Sequence, residues 1–306
     1  MHHKQIQTFR QAILALLGGA IMISFSAVWV KLAQVTPTAS AFYRVFFGGL
    51  FLLAILASRW QNPWRGWSCM GWWLSAALFF ALDLYTWHRS IDYVGPGLAT
   101  ILGNFEVFLL PVAGVLLFGE RLSLRFVLSV PLAVGGLGMI VGIRWEQLNP
   151  DTRIGIYYGL ATAFFYAGFL VVLRKLQSHP SRPSAVFSLM VISFMTAFLL
   201  AVEMVRGGES FAIPDLRSGL SLAALGLMSQ TVGWLLITLS LPRIPAAAAG
   251  LILLLQPSLA FVWDVVIFSR ATSPVTWAGV ALALSAIYMG ATADHRRSAK
   301  TSPPNP

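Results

Sequence analysis

Charge is what this sequence has least of: only 10% of its 306 residues are Asp, Glu, Lys or Arg, against about a quarter in an ordinary soluble domain. With 57% of the residues hydrophobic, a soluble globular class is excluded and a membrane protein remains. Cysteine is nearly missing as well. Cys69 stands alone, so no intramolecular disulfide forms and cysteine usage says nothing of redox compartment. His2, His3, His179 and His295 fall in tails or a loop without metal-ligand spacing. No nucleophile has a recognisable base near it, so neither an enzyme nor a cofactor is expected. The glycine-rich "VGGLGMIVG" lies inside an apolar run with no strand before it, which excludes a dinucleotide loop. Gly138 with Gly142, and Gly155 with Gly159, are instead expected to let helices approach closely.

What is there is a series of long apolar runs. A helix needs about 20 residues to cross a bilayer, and ten runs qualify: 11–32, 39–57, 69–90, 97–118, 124–143, 154–173, 184–205, 219–240, 246–268 and 275–292. They are continuous rather than alternating, which excludes a transmembrane barrel, whose strands need only about 10 residues. The expected fold is therefore an all-α integral membrane protein of ten transmembrane helices. The first run follows a basic "MHHKQIQTFR" but exceeds the roughly 7 to 15 residues of a signal core, so it is kept as a span. The polar, proline-rich end is expected to be a disordered cytoplasmic tail.

The net charge of +10 reflects topology. If the amino terminus is cytoplasmic, inner segments hold Lys4, Arg10, Arg59, Arg65, Arg121, Arg125, Arg174, Lys175, Arg182, Arg243, Arg296, Arg297 and Lys300, thirteen residues. Outer segments hold Lys31, Arg89, Arg144, Arg153, Arg206, Arg217 and Arg270, seven residues, with Arg44 left inside a span. The positive-inside rule then puts both termini in the cytoplasm and gives no reason to expect nucleic acid as a partner.

Shifted by 150 positions, "FEVFLLPVAGVLLFGERLS" falls on "LQPSLAFVWDVVIFSRATS", and "SVPLAVGGLGMIVG" falls on "GVALALSAIYMGAT". Glu106 meets Gln256. The chain thus divides into a cytoplasmic segment 1–10, a five-helix repeat 11–143, a second repeat 154–292 and the tail 293–306. An odd number of spans per repeat inserts the second copy upside down, which puts a substrate site near the midplane between halves. Ten spans in two halves, "LLFGERLS" after the fourth span and "LQPSLAF" in the ninth resemble the drug/metabolite transporter superfamily, specifically its EamA-like branch. The resemblance runs from Gln11 to Ala291 and implies export of amino acids or other small metabolites. An acidic or amide residue before a proline is frequent in that family's fourth and ninth spans. Gln256 and Pro257 fit; Glu106 is followed by Val107, with Pro111 the nearest proline, and the second turn departs from the pattern as "SRATS".

An ionisable group at the centre of a membrane helix costs roughly 2.5 to 3.5 kcal/mol on insertion scales, so it reads as functional unless paired. Arg44, Asp83, Glu106 and Asp264 are the four. At about 1.5 Å per residue, Arg44 lies about 8 Å deep, Asp83 about 12 Å and Glu106 about 13 Å, so Arg44 reaches either carboxylate as an ion pair. Alternatively, Glu106 lines the cavity and meets a substrate ammonium or exchanges a proton. Asp83 with Trp87, and Gln230 with Trp234, share helix faces four residues apart. Polar groups beside indole walls suit a small-molecule site. Asn104 and Tyr166 are further cavity candidates, whereas Trp60, Trp64, Trp67, Trp72, Trp73 and Trp145 are expected in an interfacial belt. His88 is expected at the interface, and Asp264, near an outer end, reaches headgroups and water.

The reading is a carrier, most simply an exporter in a bacterial inner membrane. Its substrate is a small zwitterionic or amphipathic metabolite, moved by alternating access, and the buried carboxylates raise proton coupling. Glu106, Asp83, Asn104, Gln256 and Gln230 are the expected polar contacts, and Trp87, Trp234 and Tyr166 the walls. A nucleotide-sugar or phosphate-ester carrier is the alternative, disfavoured because Arg44 is the only cation away from the ends of a span. Broad amphiphile or drug efflux is the other. The oligomeric state is not encoded in any feature found.

Overall fold

The computed structural model describes residues 2–58, 67–109, 124–141, 149–177, 179, 184–240, 252–253 and 255–293. Among them no strand occurs, and the chain runs as helices joined by short turns. Helix α1 (His2–Ser24) and α2 (Ser26–Leu32) form one rod interrupted at Phe25. The Thr36 hydroxyl accepts from Ala39 N at 3.3 Å and Pro37 fills the first turn, so α3 (Pro37–Ala57) starts there. Helix α4 (Met70–Val94) ends at Gly95, whose φ of 83° admits glycine readily, and α5 (Pro96–Gly103) starts on a proline. Then come α6 (Leu124–Val141), α7 (Pro150–Gln177) and α8 (Ala185–Arg206), the last capped by Ser184. Asp215 caps α9 (Leu216–Ala224), and the bonds it accepts from Ser218 hold its carboxyl below the usual carboxylate range. A π-helical segment, Leu225–Gly233, leads into α10 (Trp234–Ser240), and α11 (Leu255–Phe268) and α12 (Pro274–Ala293) follow.

Five stretches among the described residues are long and apolar enough to cross a membrane: Arg10–Leu32, Pro37–Ala57, Pro150–Leu173, Ala185–Arg206 and Leu216–Ser240. Four expected spans appear as shorter apolar helices, Pro96–Leu109, Val127–Gly136, Leu255–Phe268 and Pro274–Ala286. The remaining one, α4, has 25 residues but carries Asp83, Arg89 and Asp92. The "GERLS" turn and Pro111 lie outside the described residues.

Packing pairs α3 with α8, α4 with α7, α5 with α11 and α6 with α12, while α1 lies on α10 and the π segment. Glycine makes two of these seams. A side chain on Gly159 would meet Leu102 at 2.6 Å, and one on Gly155 would meet Val94 at 2.6 Å, as expected of close helix contact. Gly138 does not play that part: it faces open space, and Gly136 is the residue pressed against α12, where a Cβ would lie 2.6 Å from Ala283 N. Gly142 is outside the described residues.

The main apolar core joins Trp73, Phe80 and Leu84 of α4 to Phe169 and Leu176 of α7 and to Phe187 and Leu189 of α8. Trp73 is therefore not a belt residue. It is fully buried, edge-on to Phe187 at 5.8 Å, because its helix face turns inward. Trp60, Trp64 and Trp145 are outside the described residues. Large apolar side chains such as Leu14, Phe198, Val266 and Leu124 cover the outside. Such a surface suits lipid rather than water.

Candidate functional site

Helices α3 and α4 bring Arg44 and Asp83 inside the bundle, 5% and 6% exposed. The ion pairs among the described residues are Arg89–Glu209, Arg206–Glu203 and Arg270–Asp264, so Arg44 closes no salt bridge with Asp83 or Glu106. Its guanidinium instead lies over aromatic faces, 5.5 Å from the Trp87 centroid and 6.0 Å from Phe80. This is a cation–π arrangement, worth about 2 kcal/mol or more when desolvated. The Arg44 Nε is buried and has no hydrogen-bond partner.

Rings continue from there across the bundle. Phe80 stacks on Phe169 at 4.5 Å, and both meet Trp234 edge-on, at 5.9 and 5.2 Å. Tyr166 also meets Trp234 edge-on, at 6.1 Å. The charges of Glu106, Asp83 and Arg44 all act on the Tyr166 hydroxyl, which places the four groups in one electrostatic neighbourhood. Glu106 follows a break after α5, at Asn104–Phe105, where two residues leave helical geometry. The break lies just before Glu106. There Asn104 Nδ2 donates to the Thr100 carbonyl at 2.8 Å, so Asn104 serves the backbone. One carboxylate oxygen of Glu106 is buried without a partner.

The π segment sets Gln230. Nine residues of π-helix is long for a form that ordinarily appears as single-turn bulges, often at functional sites. Gly226 allows α3 to come close, since a side chain there would strike Gly48 N at 2.9 Å. Gln230 Nε2 donates to Ser193 at 3.0 Å, while Oε1 stays buried and unpartnered, as does Trp234 Nε1. A buried polar atom without a partner costs roughly 1–3 kcal/mol. Arg44 Nε, Glu106 Oε2, Gln230 Oε1 and Trp234 Nε1 are thus two donors and two acceptors buried without a partner.

Of the expected site residues, Arg44, Trp87, Tyr166 and Trp234 are linked through Phe80, the charges of Asp83 and Glu106 reach Tyr166, and Gln230 lies one turn before Trp234 on the same helix. Gln256 is buried on α11. Two expectations are corrected. His88 is fully buried rather than interfacial, with Nδ1 2.7 Å from the Leu84 carbonyl. Asp264 does not reach water: it is 2% exposed and bonded to Arg270 at 2.8 Å and to Gly97 N at 3.1 Å. Phe80 and Phe169 were missed, since a phenylalanine in an apolar run looks like any other core residue. Thr86 and Thr162, joined at 2.8 Å, were missed for the same reason.

The model of the EamA-like transporter family matches this chain twice, over residues 10–142 and 153–291. A protein of Escherichia coli named a probable amino-acid metabolite efflux pump is 25% identical over 202 residues, 63% of this chain and 66% of that protein, just under two thirds of its length. One of Salmonella typhimurium with the same name is 26% identical over 216 residues, 67% of this chain and 71% of its own. One solved crystal structure shares the fold, with a TM-score of 0.66 at 20% identity, over 94% of this chain and 98% of that one.

Proposed function

Since this chain belongs to the EamA-like transporter family, we propose that it exports a small zwitterionic metabolite of the amino-acid class across a bacterial inner membrane by alternating access. The observation that carries the reading is the mixed cluster of unpartnered polar atoms. Arg44 offers a cation for a carboxylate, Glu106 and Asp83 offer acceptors for an ammonium, and Trp87, Phe80, Phe169 and Trp234 wall in the rest. Phosphate esters need several cationic contacts, and among the described residues this cluster contains Arg44 alone. The names of the curated relatives point the same way.

Ten spans as an inverted repeat are part of the proposal. Number the expected spans one to ten and exchange the halves. The pairs two–seven, four–nine and five–ten then map onto themselves, and one–eight maps onto three–six. Each of these pairings is a packing contact here, which supports an internal two-fold axis in the membrane plane. Placement of both termini in the cytoplasm is supported by the thirteen-to-seven cation count.

Purified protein screened by thermal shift against amino acids, sugars, nucleotides and amphiphilic cations tests the substrate class. A ligand at about 100 times its Kd stabilises the folded state by about 2.7 kcal/mol. Amino acids should raise the melting temperature, and a response to nucleotides alone would replace this reading. In proteoliposomes, a pH gradient should drive uptake by the native protein and fail to do so in Glu106→Gln, which keeps the shape but lacks an exchangeable proton.

A further inference from the structure

Away from the central cluster, on the face that carries the turns after α2, α4, α8 and α11, polar side chains join the two halves. Glu209, in the turn after α8, accepts from the Thr36 hydroxyl through one carboxylate oxygen and from Thr38 at 2.7 Å through the other. Arg89 lies 3.7 Å from that second oxygen and also donates to Thr38 at 3.3 Å. Beside it, the Tyr43 hydroxyl donates to the Phe211 carbonyl. Across the face, Arg270 Nη1 donates both to the Val94 carbonyl at 2.9 Å and to Asp264 at 2.8 Å, while Asp264 accepts from Gly97 N at 3.1 Å. Two side chains of the second half thus grip the turn between α4 and α5 of the first. Gly95 belongs to this grip, since a side chain there would lie 2.9 Å from Arg270 Nη1.

These contacts differ in kind from those in the cluster. Here, Arg89 Nε aside, donors and acceptors meet across the halves, whereas Arg44 Nε, Glu106 Oε2, Gln230 Oε1 and Trp234 Nε1 lack partners. The two levels are close: Arg44 is six residues from Thr38 and Trp87 seven from Val94, about 10 Å along either helix. A solute leaving the cluster toward this face must pass between the gripped elements. Such bonds also suit repeated opening, because water can replace each one, as it cannot replace an apolar seam. Resting on the carrier reading above, we propose that Arg89–Glu209–Thr38 and Arg270–Asp264, with the α4–α5 turn, form a two-point latch that shuts this face and that must part for release.

Accessibility tests it without any substrate. In full-length protein in spheroplasts, Cys69→Ser removes the native thiol and Thr162→Cys supplies a probe, buried beside Trp87 and Gly103. A membrane-impermeant maleimide is added outside. A charge-assisted hydrogen bond corresponds to roughly ten- to hundred-fold in an equilibrium constant, so Arg89→Gln with Arg270→Gln should speed labelling by at least about tenfold. Exchanging the first pair, Arg89→Glu with Glu209→Arg, in protein with an intact Arg270 should keep labelling as slow as in the parent. Unchanged labelling in the double glutamine variant, or fast labelling in the exchanged pair, overturns the latch; the latter would mark general loosening. Ser210→Cys, exposed beside Glu209, reports which side this face occupies. If it is labelled only in inverted vesicles, the same comparison is read there. A protein that carries no amino acid would still show the latch, so its failure is separate from failure of the proposed function.

Discussion

Arg44 is held by rings rather than by a carboxylate, and this decides what its replacement should do. Arg44→Met keeps an unbranched stem between Trp87 and Phe80 and removes the cation. Losing the charge-assisted contact that the guanidinium offers a substrate carboxylate, about 2 kcal/mol, corresponds to roughly thirty-fold weaker binding of a zwitterion. Melting in the absence of ligand should change by no more than about 2 kcal/mol, since the lost cation–π attraction opposes the relief of a buried charge without a salt bridge. Ligand titrations of the thermal shift read both. Asp264 behaves differently: Asp264→Ala leaves Arg270 and Gly97 N without their acceptor and should cost about 1–3 kcal/mol in thermal unfolding. The spacing of Asp83 and Trp87 put them on one helix face by counting alone. The partner of Asp264 was out of reach, because a place in the segment after the ninth span does not say which way the Arg270 side chain folds back.

At the level of elements, helix seams separate two glycines that the sequence presents alike. Gly136 presses on Ala283 N, where a methyl group has no room, whereas Gly138 faces open space. Gly136→Ala should destabilise by about 1–3 kcal/mol through overpacking. Gly138→Ala should be neutral or stabilising by up to about 1 kcal/mol, through helix propensity. Unfolding of the two variants in detergent, side by side, checks the contrast. Helical periodicity placed small residues in the fifth span but left their rotation about the helix axis open by one step in either direction. The π segment has the same character. Its residues read as an ordinary apolar helix, and the wider turn that presents Gln230 depends on how close α3 comes at Gly48 and Gly226.

For the whole molecule, topology is the testable quantity. Single cysteines at Ser123 and Ser178 should react from the cytoplasmic side, and one at Ser210 from the opposite side. Impermeant reagent on intact and inverted vesicles measures this, and Ser123 and Ser178 on different sides would end the inverted-repeat reading. Hydropathy alone carried the all-helical membrane class, because a bilayer forces the backbone to satisfy itself within each segment. It overstated regularity: a run of apolar residues does not say where the helix pauses, as at Phe25 or at Asn104–Phe105.

By itself the sequence determined that the chain is helical and membrane-embedded, that it repeats, and which charged residues are unusual enough to matter. Those properties follow from composition and period, which act locally along the chain. Only the tertiary structure decided that Arg44 rests on indole and phenyl faces, and that Asp264 and Glu209 tie the halves together. Each of these depends on the rotation of one helix against another, and that is fixed by packing between residues as far apart as Gly97 and Asp264.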